Sequence, residues 1–149
     1  MIKAEDLRVG DLVKVIGTES VFTDGEICSV ESVDKLYGVA SLKGIDWGIE
    51  ECGFLKNSRE IDPIPLTPEI LEKNRFEVGY PEKCYNKFIS SPGRKLIRFL
   101  SIENWPTEWK VFLKYTNRTD HYVLLRFVKY VHELQHILWA LGADANLKI

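Results

Sequence analysis

Residues Leu125–Leu141 read LRFVKYVHELQHILWAL. Phe127, Val131, Leu134, Leu138 and Leu141 recur at spacings of four, three, four and three. That period places all five on one stripe of a helix, whereas strand alternation would scatter them. Gly142 follows as the natural stop. The stretch therefore predicts a long C-terminal helix that lies as a lid on whatever precedes it.

The same stretch contains His132-Glu133-Leu134-Gln135-His136, a match to the H-E-x-x-H pattern of zinc proteases. Two histidines one helical turn apart can share one Zn²⁺, and the glutamate between them can take a proton from metal-bound water. His132 and His136 are thus the candidate metal pair, and a zinc-dependent hydrolase is one reading. The pattern also needs a third protein ligand. The extended form would place Gly and His where this chain has Trp139 and Gly142, and Asp144 is the only carboxylate side chain after His136. His121 lies upstream and would require an unusual chain order. At about 100° per residue, both histidines fall opposite the apolar stripe, beside Lys129 and Trp139. The expectation is a solvated helix face, with no metal and no cofactor.

Composition sets the frame. The 149 residues suit one compact domain or two small ones, with 45% hydrophobic and 28% charged residues. The opening MIKAEDLRVG lacks an apolar core, so no secretion signal is expected. No apolar run approaches membrane-spanning length. Cys28, Cys52 and Cys84 are odd in number and far apart, which fits reduced, buried thiols and a cytoplasmic location. The net charge of −2 conceals a division: residues 1–82 sum to −8, residues 83–130 to +7, and the remainder to −1. Such asymmetry fits a nucleic-acid face, or an acidic half docking on a basic one.

In the first half, the Gly10-Asp11 turn precedes a strand at Leu12–Ile16. Short β segments follow near Val21–Phe22, Glu26–Val33, Leu36–Leu42 and Ile45–Ile49. Asp24-Gly25 and Lys43-Gly44 read as turns. Residues 1–65 are expected to form a small SH3-like β-barrel, a fold that names no activity. Ile61-Asp62-Pro63-Ile64-Pro65-Leu66 is extended by its prolines. Thr67 then caps a short helix with Pro68 in its first position, ending near Asn74, with Ile70, Leu71 and Phe76 inside. Strands are expected at Phe76–Tyr80, Tyr85–Ile89, Lys95–Ile102, Trp109–Thr116 and His121–Arg126, with loops at Ser91-Pro92-Gly93, Asn104-Trp105-Pro106 and Asn117–Asp120. The fold class is α+β. Residues 66–149 form an antiparallel sheet covered by the C-terminal helix, packed as one unit with the first half.

Leu7-Arg8-Val9-Gly10-Asp11-Leu12-Val13, Ile61-Asp62-Pro63-Ile64-Pro65-Leu66-Thr67 and Tyr130-Val131-His132-Glu133-Leu134-Gln135, in that order, resemble a family of short, uncharacterised bacterial proteins found near prophages and other mobile elements. The resemblance implies no activity, substrate or cofactor. It implies that the apolar stripe of the last helix is the shared feature, with another residue such as Asn often standing where His136 does.

Arg98, Lys110, Lys114, Arg118 and Arg126, with Phe112 and Tyr122, supply the candidate nucleic-acid face: cations neutralise phosphates and aromatic rings stack bases. The alternative is a solvated outer sheet face. Trp139, His132 and Gln135 are the candidate partner surface, for a protein or a second copy. No phosphate loop, catalytic triad or Cys/His dyad is evident. The reading is a non-enzymatic binding module, with a mobile-element accessory role implied by the resemblance.

Overall fold

The computed structural model describes residues 2, 6–16, 22, 24–37, 39–45, 54–57, 61–79, 84–89, 98–115 and 122–149. The chain divides into two compact units, Met1–Ile64 and Pro65–Ile149.

The first unit is an antiparallel sheet of β1 (Leu12–Val15), β2 (Ile27–Asp34), β3 (Val39–Gly44), β4 (Phe54–Asn57) and β5 (Ile61–Pro63), ordered β4-β3-β2-β1-β5. Among the described residues β4 and β5 are the two ends and no ladder joins them. Alternation places Val13, Val15, Cys28, Val30, Ala40, Leu42 and Ile61 in one core with Ile2, Leu7 and Phe22. The Arg8–Asp11 turn is closed by the Arg8 amide donating to the Asp11 carboxylate at 2.8 Å. Asp24-Gly25 turns as expected, with Gly25 at φ 85°. Lys43-Gly44 does not turn. It continues β3, paired with Ser29 and Cys28. The expected segment at Leu36 begins later, because Asp34 accepts from the amides of Leu36 and Tyr37 and holds them in a turn. Val21, and residues 46–49 of the expected last segment, lie outside the described residues.

Burial, reinforced by Glu26, pushes the Cys28 thiol from its ordinary 9.0 up to about 12. Between those values the unfolded chain holds fewer protons than the folded one. Stability is therefore unaffected by this thiol below about pH 9 and falls as pH rises toward 12. Denaturant titrations across that window are expected to show the loss, and Cys28→Ala is expected to flatten it.

The second unit carries α1 (Pro68–Lys73), then β6 (Glu77–Gly79), β7 (Cys84–Ile89), β8 (Arg98–Trp105), β9 (Glu108–Tyr115), β10 (Tyr122–Val128) and α2 (Val131–Ala140). Its five strands form an antiparallel sheet ordered β10-β9-β8-β7-β6. Thr67 caps α1, its hydroxyl accepting from the Ile70 amide at 3.4 Å.

Both helices end in the same hydrogen-bonded wrap. After α2, Ala143 donates to Leu138 and Gly142 to Trp139, with Gly142 at φ 69°. After α1, Phe76 donates to Leu71 and Arg75 to Glu72, with Arg75 at φ 62°. The left-handed position that glycine fills in one helix is held by an exposed arginine in the other. Arg75→Gly is accordingly expected to stabilise the protein by about 0.5–1 kcal/mol, read as a higher denaturation midpoint.

The C-terminal helix is shorter than the sequence stripe suggests. Phe127 belongs to β10, paired with Lys110, and α2 begins only at Val131. Val131, Leu134 and Leu138 form the stripe as expected, all fully buried. No helix among the described residues is long and apolar enough to cross a membrane.

Candidate interaction surface

Strand pairing sorts the second sheet into two faces, because residues opposite one another in antiparallel strands point the same way. One face carries Tyr85, Ile89, Leu100, Ile102, Trp109, Val111, Leu113 and Val128, and every one of these is buried. The helical side of the unit lies against it. Trp109 Nε1 donates to the Leu66 carbonyl at 3.0 Å, and its ring meets Tyr85 edge-on at 5.8 Å. Lys87 Nζ lies 5.0 Å from the centre of the Phe76 ring. Burial pushes its ammonium down, with Asp144 opposing and Arg75 reinforcing.

The other face carries Phe88, Phe99, Ser101, Glu103, Lys110, Phe112, Lys114, Tyr122, Leu124 and Phe127. Large apolar side chains are open here: Phe88 is 53% exposed, Tyr122 62%, Leu124 44% and Phe127 41%. The rings are ordered among themselves. Phe88 meets Phe99 edge-on at 5.7 Å and Phe112 meets Tyr122 edge-on at 5.6 Å. Lys110 Nζ sits 3.2 Å from the centre of the exposed Trp105 ring and 5.6 Å from that of Phe127. Cys84 and Ser101 are buried between these rows, Sγ to Oγ at 3.0 Å.

This geometry brings together Lys110, Phe112, Lys114 and Tyr122 of the candidate nucleic-acid set. Arg98 pairs with Ile89 and Arg126 with Val111, so both belong to the opposite face. Arg126 instead approaches Glu133, at 3.9 Å. Arg118 lies outside the described residues. The cationic face expected from sequence is therefore mainly aromatic, with two lysines and with Glu103 directly opposite Lys110. Sequence reasoning placed Trp105 in a loop, whereas it closes β8, and Phe127 on the helix, whereas it belongs to β10. Phe88, Phe99 and Leu124 were missed as site residues. The available signal was their alternation in register with Phe112 and Tyr122.

The candidate partner surface on α2 is corrected. His132 and Gln135 are buried, 5% and 1% exposed, and cannot meet a partner. The chain after α2 folds back over that side: Gln135 Nε2 donates to the Ala145 carbonyl at 3.1 Å, and Ala145 and Leu147 are themselves buried. Trp139 is half-buried and stacks on His136 at 5.7 Å, while His132 stacks on Tyr130 at 5.9 Å. The expectation that both histidines face solvent fails for His132.

Glu133 occupies the third position of α2, and its carboxylate accepts from the amides of Lys129 at 2.7 Å and Tyr130 at 3.1 Å. It satisfies the open donors at a helix start, a role that competes with service as a general base. Among the described residues no group of three or more His, Cys, Asp or Glu is arranged to hold a metal. His121, the upstream candidate for a third ligand, lies outside them.

Comparison of the chain with protein-family models, curated proteins and solved structures returns no match.

Proposed function

We propose that this chain is a non-enzymatic interaction module whose working surface is the open face of the second sheet. The observation that carries this is the row of exposed Trp105, Phe127, Leu124, Tyr122 and Phe88, 41–62% exposed, on the face away from the helices. Contiguous apolar area of this kind, edged by charge, marks binding surfaces on soluble proteins. A protein partner suits it best, because aromatic rings dominate and Lys110 already has local neighbours in the Trp105 ring and Glu103 across the strands. The resemblance to proteins encoded near mobile elements supports an accessory role of this kind. For the first unit, five short antiparallel strands around one apolar cluster support the SH3-like barrel reading.

The test is affinity recovery from cells that express the chain naturally. It compares the wild type, Tyr122→Lys/Phe127→Lys, and Leu36→Lys, a control at a fully open turn of the first unit. A protein retained by the wild type and the control, and depleted at least about tenfold by the double variant, is the expected result. Equal retention by all three would remove the sheet face from consideration.

A second reading, single-stranded nucleic acid, draws on Lys110, Lys114 and exposed Tyr122 sharing one face, with Phe112 on the same face but buried beside Tyr122. Sheets present aromatic rings to unpaired bases in this way. It requires binding to homopolymer oligonucleotides that weakens steeply with salt and is lost in Lys110→Ala/Lys114→Ala. No binding at low salt would reject it. The zinc-hydrolase reading is the weakest, since Glu133 is held by backbone donors.

A further inference from the structure

We propose that the notch where β6 begins is a binding site for a small aromatic carboxylate. This goes beyond the interaction module, which meets a macromolecule across the sheet face and needs no small ligand.

β6 reaches only to Glu77, opposite Asn86, so Lys87 and Phe88 of β7 have no described strand beside them on that side. The chain turns away there at Arg75, beside a cavity of about 390 Å³ lined by Arg75, Glu77, Asn86, Lys87, Phe88 and Phe99. That volume is in the range of small-molecule sites.

One wall is cationic. Arg75 and Lys87 lie close enough to repel, and neither makes an ion pair with another described residue. Burial pushes the Lys87 ammonium down and Arg75 adds to this, while Asp144 opposes from beyond ion-pair distance. The Asn86 carboxamide adds a neutral donor. Its oxygen accepts from the Cys84 thiol at 3.7 Å, and its nitrogen sits over Gly79, where a Cβ would collide with it. Glu77 is the one carboxylate in the lining. Two cations against one anion leave a single positive charge to be matched, which suits a carboxylate better than a doubly charged phosphate. The other wall is aromatic: Phe88 and Phe99 meet edge-on at 5.7 Å and offer a planar ring a third partner.

The backbone at Arg75 points the same way. Its φ of 62° is the left-handed conformation that glycine fills after α2, and its side chain is exposed, so no packing offsets the strain. A strained residue beside a cavity, carrying a charge that no described residue pairs, fits a ligand contact.

The test is titration of the full chain with phenylacetate, followed through the amide resonances of Lys87 and Phe88. Phenylacetamide has the same shape without the charge, and inorganic phosphate has charge without the ring. Phenylacetate is expected to bind at least about tenfold more tightly than either. Arg75→Gly is expected to weaken phenylacetate binding at least about tenfold. Because that variant is also expected to stabilise the fold, the loss cannot be read as lost structure. Phe88→Ser, at an exposed ring, is expected to weaken binding too. Absence of binding overturns the proposal, as does equal binding of phenylacetamide or phosphate. So does undiminished binding by Arg75→Gly or by Phe88→Ser. Tyr122→Lys/Phe127→Lys, outside the notch, is expected to bind phenylacetate like the wild type, and Arg75→Gly to retain any protein recovered through the sheet face. Either reading can therefore fail while the other stands.

Discussion

Ile102→Ala is expected to destabilise the protein by about 2–5 kcal/mol, while Phe127→Ala in the same sheet is expected to change stability by less than about 1 kcal/mol. Ile102 is fully buried on the inner face, between Val111 and Tyr85 across the neighbouring strands. Truncation there removes transfer energy and leaves a cavity that packed neighbours fill only in part. Phe127 is 41% exposed on the outer face, and its loss removes little beyond its contact with Lys110. Denaturant midpoints at constant m-value measure both. The contrast matters because a sheet stabilised from one side leaves its other side available for recognition. A cost for Phe127→Ala comparable to that of Ile102→Ala would show the outer face to be core.

Asn74→Ala is expected to lower stability by about 1–3 kcal/mol and to release the C-terminal segment. The Asn74 side chain donates to the carbonyls of Ile70 at 2.7 Å and Lys148 at 2.8 Å, and accepts from the Lys148 amide at 2.8 Å. One buried amide thus closes the end of α1 and ties down a segment far along the chain. That segment covers Gln135. Hydrogen exchange should rise at Lys148 well above the change in global stability. An unchanged Lys148 amide would show that Ala145 and Leu147 hold the segment by apolar contact alone.

What could be read from sequence follows the range of the interactions involved. Thr67-Pro68 declares a helix start through local chemistry, and the structure places the cap there. The alternation Trp109, Val111, Leu113 declares a buried strand face, and all three are inside. Leu125–Phe127 misled because so short a stretch shows no clear period of its own. Phe127 happens to precede Val131 by four residues, so the strand was absorbed into the helical stripe. Trp105 looked like a loop residue because Pro106 follows, yet proline favours an extended predecessor, and Trp105 is the last residue of β8. His132 and Gln135 looked exposed because a helix considered alone has one apolar side. Gln135 is covered by the chain after α2, whose Ala145 carbonyl accepts from its side chain, and His132 stacks on Tyr130, packing that periodicity within the helix does not encode. For the basic cluster, composition gave the charge but not the face. Only strand register separates Lys110 and Lys114 from Arg98 and Arg126.

A working surface on the outer face of the second sheet would be covered by its partner in the cell. Hydroxyl-radical footprinting compares the purified chain with the same chain in living cells, reading Trp105 and Phe88, which lie away from the β10 edge. Leu36 and Tyr37, exposed at the β2–β3 turn, serve as internal references. Trp105 and Phe88 are expected to be oxidised in the purified chain and protected in cells, with Leu36 and Tyr37 labelled equally in both. Equal oxidation of Trp105 and Phe88 in the two settings would contradict it.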